Sequence, residues 1–326
     1  MKRRLTMLCG AIAAFGLVAT ATVQAGGEDS TPDTSGGGEE DLTFFVITHG
    51  DDGPFWTVAQ NGAEDAGRDL GVTVVYQGSN NDPQAQAQMI EAAITEEADG
   101  IAVSLPNPDA VSDAVAAAIE AGIPVYSLNS GLNAYQEMGI VTHVGQTELV
   151  AGSGAGQRFN DAGMQHVMCV IHEQGNIALE ERCDGLEEGF DGDVTRLQVT
   201  GDADPTTSQQ ETVAALQADE SIDAILAAGP VQAIVAVEAV NEVGREIMIG
   251  NFDMSGDVID AIENGDISFA IDQQQYLQGY LPVVFMYLQA TNLNTVGGGQ
   301  PILTGPGFVT QENAAEVREL AEAGTR

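Results

Sequence analysis

Lysine is almost missing from this chain: Lys2 is the only one, and just seven arginines follow residue 25. Against 10 basic residues stand 49 acidic ones, a formal net charge of −39. Such a surface repels DNA, RNA and anionic lipid, which excludes nucleic acid as a partner. An acid excess of this kind fits a protein working in salty water, or a lineage whose secreted proteins are acidic. Cysteine is scarce, with three in 326 residues, and His49, His143, His166 and His172 are scattered without zinc-site spacing. No metal or other cofactor is expected. There is no G-x-S-x-G elbow, no P-loop and no H-E-x-x-H. Gly152-Ser153-Gly154-Ala155-Gly156 is glycine-rich but falls short of the dinucleotide fingerprint. Paired carboxylates carry little information in so acidic a chain. The expectation is a protein without catalysis.

What is present begins with an export signal. Lys2-Arg3-Arg4 precedes the apolar stretch Leu5 to Val23, and Thr-Val-Gln-Ala25 offers a cleavage site, so residues 1–25 read as a signal peptide. Lipidation at Cys9 and retention as an N-terminal anchor are the alternatives. Residues 26–41 read as a flexible acidic linker. Export places the protein in the periplasm or on the outer side of the cell. There, Cys169 and Cys183 read most simply as a disulfide, with two buried free thiols as the other reading.

A hydrophobic content of 44% supports a large core. From residue 42 onward, short apolar runs alternate with amphipathic segments: strands over 42–48, 72–77, 100–105, 123–128 and 141–144, with helices between. The pattern then restarts, with strands over 166–172, 195–200, 222–228, 247–252 and 267–271. Regular strand–helix alternation predicts α/β architecture: two Rossmann-like lobes with parallel sheets and right-handed crossovers.

The richest stretch is 250–280, GNFDMSGDVIDAIENGDISFAIDQQQYLQGY. One apolar run ends on Asp253, an amphipathic segment follows, Asn264-Gly265-Asp266 turns, and a second run leads to Asp272 and Gln273. Polar groups at the carboxyl ends of buried strands are where an open α/β sheet binds ligand. The pattern G-x-F-D, helix, N-G-x, strand, D-Q-Q resembles the type I periplasmic sugar-binding proteins of the ribose-binding class. The resemblance covers nearly all of 42–326. It implies a first lobe of 42–145 plus 273–299, a second of 146–272 plus 300–326, and a three-segment hinge near 145, 272 and 300. It also implies capture of a small neutral sugar or polyol by a monomer that delivers it to an ABC permease. Input to a chemoreceptor or sensor kinase, and nucleoside binding, are the alternatives.

The same resemblance nominates ligand-binding residues. Gly53-Pro54-Phe55-Trp56 matches the family's turn before the first helix, where aromatics pack on the sugar's apolar face. Phe55 and Trp56 could otherwise be core residues at a helix start. His49 holds the polar position at the end of the first strand, with Asp52 nearby. Arg182 lies in an R-x-x-G-L element and can donate several hydrogen bonds. Asp253 and Gln273 match directly, although Asp253 could serve only as a helix cap. Asn129, Gln146 and Glu173 are further candidates. Two departures stand out: Asn129-Ser130 replaces an Asp-Arg pair, which counts against ribose itself, and Ala228-Gly229-Pro230 replaces an asparagine.

Overall fold

The computed structural model describes residues 41–51, 53–201 and 204–326. The expected leader, Cys9, and the expected linker up to residue 40 lie outside the described residues, as does Asp52.

The first run of elements is β1 (Thr43–Thr48), α1 (Gly53–Leu70), β2 (Thr73–Gly78), α2 (Pro83–Thr95), β3 (Gly100–Ser104), α3 (Pro108–Glu120), β4 (Val125–Leu128) and β5 (His143–Gly145). The second is α4 (Glu148–Asp161), β6 (His166–Ile171), α5 (Ile177–Gly189), β7 (Asp193–Gln198), α6 (Pro205–Ala218), β8 (Ala224–Ala227), α7 (Pro230–Val243), β9 (Met248–Phe252), α8 (Gly256–Asn264) and β10 (Phe269–Asp272). The chain finishes with α9 (Gln275–Asn292), β11 (Ile302–Leu303), β12 (Gly307–Thr310) and α10 (Ala314–Glu322). Helix starts follow local chemistry. Proline opens α2, α3, α6 and α7, where its missing N–H costs nothing. Ser255 caps α8 by accepting from the Val258 N–H, and Gly244 and Gly265 end α7 and α8 in the left-handed conformation.

The strands form two sheets, ordered β11-β5-β4-β3-β1-β2 and β12-β10-β9-β8-β6-β7. Every pairing is parallel except β12 on β10. The inner strands of each sheet are apolar and buried on both faces, whereas the edge strands β2 and β7 are more polar and partly exposed. Alternate residues separate accordingly: Phe45, Ile47 and Val103 enter one core, while Phe44, Val46 and Ala102 enter the core on the other side. Both lobes therefore have the doubly covered α/β form.

Three chain crossings join the lobes, after β5, after β10 and after β11. The third differs from the expectation near residue 300. Ile302 and Leu303 pair with Val144 and Gly145 in the first sheet, so the chain leaves that lobe only after Leu303. Glycine, proline and threonine around the crossing gave no apolar run to mark so short a strand. Thr304 ties the crossings together. Its N–H donates to the Gly145 carbonyl at 2.7 Å, its hydroxyl to the Gln273 carbonyl at 2.7 Å, and its own carbonyl accepts from the Gln274 amide at 2.6 Å.

Helix α9 returns to the first lobe and crosses α1 at very short range. A Cβ on Gly279 would sit 1.8 Å from the Ala59 carbonyl oxygen. The glycine-rich tract at 152–156 has the same purpose in the second lobe, where a Cβ on Gly152 would lie 2.1 Å from the Arg182 carbonyl oxygen of α5. That tract is a helix-packing device. Gly279→Ala forces backbone apart and is expected to destabilise the protein by about 1–3 kcal/mol, read as a lower midpoint in urea unfolding. An unchanged midpoint would show that the two helices are free to separate.

Candidate functional site

Both lobes present the carboxyl ends of their strands to a shared cleft, and matching positions of the two sheets carry matching residues. His49 follows β1 and His172 follows β6. Asn129 follows β4 and Asp253 follows β9. Gln146 follows β5 and Gln273 follows β10. Asn129 and Asp253 adopt left-handed backbone, φ 62° and 70°. Asparagine and aspartate tolerate that conformation better than most residues, and it turns the chain sharply as the strand ends.

Between these ends lies a cavity of about 50 Å³. A single water needs roughly 10–15 Å³ on this measure, so the space suits one small ring and not a disaccharide. The first lobe contributes His49, Phe55, Trp56 and Asn129 to its wall. The second contributes Glu173, Asn176, Arg182 and Asp253. The rings of Phe55 and Trp56 meet edge to face at 4.8 Å, and the His49 imidazole stands edge-on to Trp56 at 4.7 Å.

Two buried charge clusters flank the space. In the first, Arg182 is only 3% exposed. Its Nε donates to Glu148 Oε2 at 2.8 Å, Nη2 to Glu148 Oε1 at 3.3 Å and Nη1 to the Ala228 carbonyl at 2.6 Å. Asp253 Oδ2 lies 3.7 Å from Nη1, and the Phe252 ring packs under the guanidinium at 4.3 Å. Burial pulls the Arg182 guanidinium down, but Glu148 and Asp253 more than reverse this. Burial pushes the Asp253 carboxyl up to about 6, against the pull of Arg182 and the hydrogen bond from Gln273.

The second cluster bridges the cleft. His49 Nε2 lies 3.4 Å from Glu173 Oε2, while its Nδ1 meets the Ser104 hydroxyl at 2.7 Å. The Asn176 amide donates to Glu173 at 2.5 Å, and the Asn176 side-chain carbonyl caps α5 through the Ala178 N–H. Burial alone would raise the Glu173 carboxyl; His49, His172 and Asn176 together hold it well below the ordinary range. The Ile177 N–H donates to the Pro106 carbonyl at 3.1 Å, directly from lobe to lobe. The cleft is shut.

Seven of the ten nominated residues thus line the cavity: His49, Phe55, Trp56, Asn129, Glu173, Arg182 and Asp253. Gln273 and Gln146 do not. Both are fully buried behind the wall, where Gln273 donates to Asp253 Oδ1 at 2.7 Å and Gln146 to Glu148 Oε2 at 2.9 Å. Asp52 is outside the described residues. Sequence reasoning missed Glu148 and Asn176. Asn176 carried a signal, since an asparagine before Ile177-Ala178-Leu179-Glu180 has the form of a helix cap. Glu148 had none, being one acid among many. Cys169 of β6 and Cys183 of α5 are joined as a disulfide, with Cα atoms 6.0 Å apart. Among the described residues no group of His, Cys, Asp and Glu is arranged to hold a metal ion, and no helix is long and apolar enough to cross a membrane.

Two parallel α/β lobes closing over a small polar and aromatic cavity define a cleft-type solute-binding protein. The family model described as "Periplasmic binding protein domain" matches residues 44–293. The chain belongs to the periplasmic binding protein family and has its type I fold. A carbohydrate transporter from Acidothermus cellulolyticus 11B, solved in complex with myo-inositol, is 40% identical, with a TM-score of 0.85 over 87% of this chain and 99% of that one. The xylose/arabinose-binding protein of Sulfolobus acidocaldarius is 28% identical over 83% of this chain and 71% of its own length. The ribose import binding protein of Haemophilus influenzae is 28% identical over 72% and 80%. The family is one of solute-binding proteins that work outside the cytoplasmic membrane.

Proposed function

We propose that the protein, acting as a monomer and without catalysis, captures one small uncharged sugar or polyol between its lobes and presents the closed form to an ABC permease. The observation that carries this reading is the interlobe cavity, walled by both lobes and sized for a single ring. Phe55 and Trp56 offer an apolar face to ring C–H groups. Asp253, Asn129 and Glu173 offer acceptors to hydroxyls, and Arg182 keeps part of its guanidinium toward the space. The relatives support the ligand class: one holds a cyclitol, and others are named for pentoses.

The mechanism follows from the wall's divided origin. An open cleft admits solute, but only the closed arrangement brings His49, Trp56 and Asn129 opposite Arg182 and Asp253. A ligand touching both sets binds the closed form better and shifts the population toward it. A missing or inverted hydroxyl leaves a buried polar group unpaired, which is the source of discrimination.

The test is a thermal-shift screen of the chain from residue 26, in high salt, against pentoses, hexoses, cyclitols, linear polyols and nucleosides. A few related compounds should raise the melting temperature; saturation at a hundred times Kd corresponds to about 2.7 kcal/mol. Asp253→Asn should abolish most of that rise. A panel with no rise rejects the reading, and a rise confined to nucleosides replaces its ligand.

A further inference from the structure

The charges around the cavity do not balance. Arg182 is held between two buried carboxylates, Glu148 at 2.8 Å and Asp253 at 3.7 Å. The other acids nearby have partners of their own: Glu173 meets His49 at 3.4 Å and accepts from the Asn176 amide, and Asp272 meets Arg326 at 2.8 Å. No second lysine or arginine lines the cavity among the described residues. One carboxylate is in surplus beside Arg182, the only guanidinium among the described residues that reaches the space.

We propose that this surplus is a charge filter, in which Glu148 is the positioning residue: it admits uncharged and amine-bearing sugars or polyols and rejects those carrying carboxylate or phosphate. The proposal rests on the sugar or polyol reading above and adds its charge selectivity. An arginine in a cleft is otherwise a strong anchor for an acidic sugar, because its fork fits a carboxylate or phosphate in two places at once. Glu148 takes that fork first, from behind, through Nε and Nη2. It is itself fixed by the amide of Gln146, and at 2% exposure its charge is shielded little by water. An incoming anion then meets Asp253 with no uncompensated cation to repay the approach, and like charges in so dry a site repel strongly. An ammonium group meets the opposite field.

The filter also has a pH signature. Asp253, pushed up to about 6, is ionised at pH 7.5 and largely protonated at pH 5.5, so acidification removes the surplus. The titratable and charged groups around it are Arg182, Glu148, Asp272 and Glu173, with His49 and His172 opposite Glu173.

Calorimetric titration of the full chain with matched sets tests this: glucose, glucosamine and glucuronate; galactose, galactosamine and galacturonate; myo-inositol and its monophosphate. At pH 7.5 the acidic member should bind on the order of a hundredfold more weakly than its neutral parent, and the amine within about tenfold of it. Glu148→Gln should shrink the acidic penalty by about tenfold or more, and lowering the pH to 5.5 should shrink it in the wild type. A merely structural role for Glu148 would weaken neutral and acidic members together and leave their ratio fixed. Should Glu148→Gln fail to fold, the wild type carries the test: a uronate penalty that does not shrink between pH 7.5 and 5.5 overturns the filter. Acidic members binding as well as their parents in the wild type, or a ratio unmoved by the substitution, overturns the filter. Failure of every neutral member to bind, together with a thermal-shift panel that shows no rise, instead sinks the solute reading itself, and the filter with it.

Discussion

Arg182→Met is expected to cost the protein its ligand and much of its stability together. The guanidinium is 3% exposed and, among the described residues, is the only arginine or lysine paired with the buried carboxylates of Glu148 and Asp253. Methionine fills most of the volume, so little of the loss comes from a cavity. The dominant effect is electrostatic: Glu148 and Asp253 lose their counter-ion while still cut off from water. Breaking a buried pair from one side costs about 3–5 kcal/mol. The Ala228 carbonyl also loses its donor. Both acids can escape by taking up protons, and Asp253, already raised to about 6, goes first. A carboxyl raised in the folded state is easier to protonate there than in the unfolded chain, so the folded variant gains relative stability as pH falls. The deficit should therefore be largest near pH 8 and smaller near pH 5, measured by urea unfolding at both. Arg182→Lys restores the charge without the two-point grip and should recover only part. A loss under about 1 kcal/mol with ligand binding intact would make Arg182 a spectator.

Much of the architecture was legible because strand–helix alternation and apolar strands are local signals. Most buried strands read as apolar runs, and those of β1, β4, β5, β6, β9 and β10 led to a polar residue at the cleft. What a sequence does not carry is the direction of those residues. Asp253 and Gln273 sit at neighbouring strand ends and looked equivalent. Asp253 is in left-handed backbone and reaches the cavity wall, whereas Gln273 stays behind and braces it. Gln146 repeats that arrangement at the matching place in the first sheet, bracing Glu148 in turn. Glu148 itself was hidden by composition, since a chain with 49 acids gives no reason to single one out. The glycines at 152 and 156 were visible but ambiguous: helix crossing and phosphate binding ask for the same residue, and only the opposing backbone of α5 decides between them. The third crossing was misplaced by a few residues because a two-residue strand has no periodicity to read.

The disulfide gives the second large effect, and its consequences reach the cavity. Cys169 lies within β6 and Cys183 within α5, so the bridge clamps that helix to the second sheet. Helix α5 is the element on which the cleft depends most: Asn176 caps it, Ile177 contacts the first lobe, and Arg182 immediately precedes the bridged cysteine. Closing a loop of this length, with a sequence separation of 14, removes chain entropy from the unfolded state equivalent to about 3 kcal/mol. Cys169→Ala with Cys183→Ala should lower stability by about that much, plus a smaller term for two buried sulfurs lost from the core. Both cysteines are fully buried, so a mild reductant should act slowly on the native protein and quickly once it opens. Saturating ligand, by holding the cleft shut, should slow reduction further. Ligand affinity should fall in the double variant as well, because the start of α5 is held by capping and interlobe contacts alone. Unfolding midpoints with and without reductant, followed by calorimetry on the variant, separate the two effects. A midpoint indifferent to reduction would mean that packing against β6 already fixes α5; unchanged affinity alongside a lowered midpoint would confine the bridge's role to the unfolded chain.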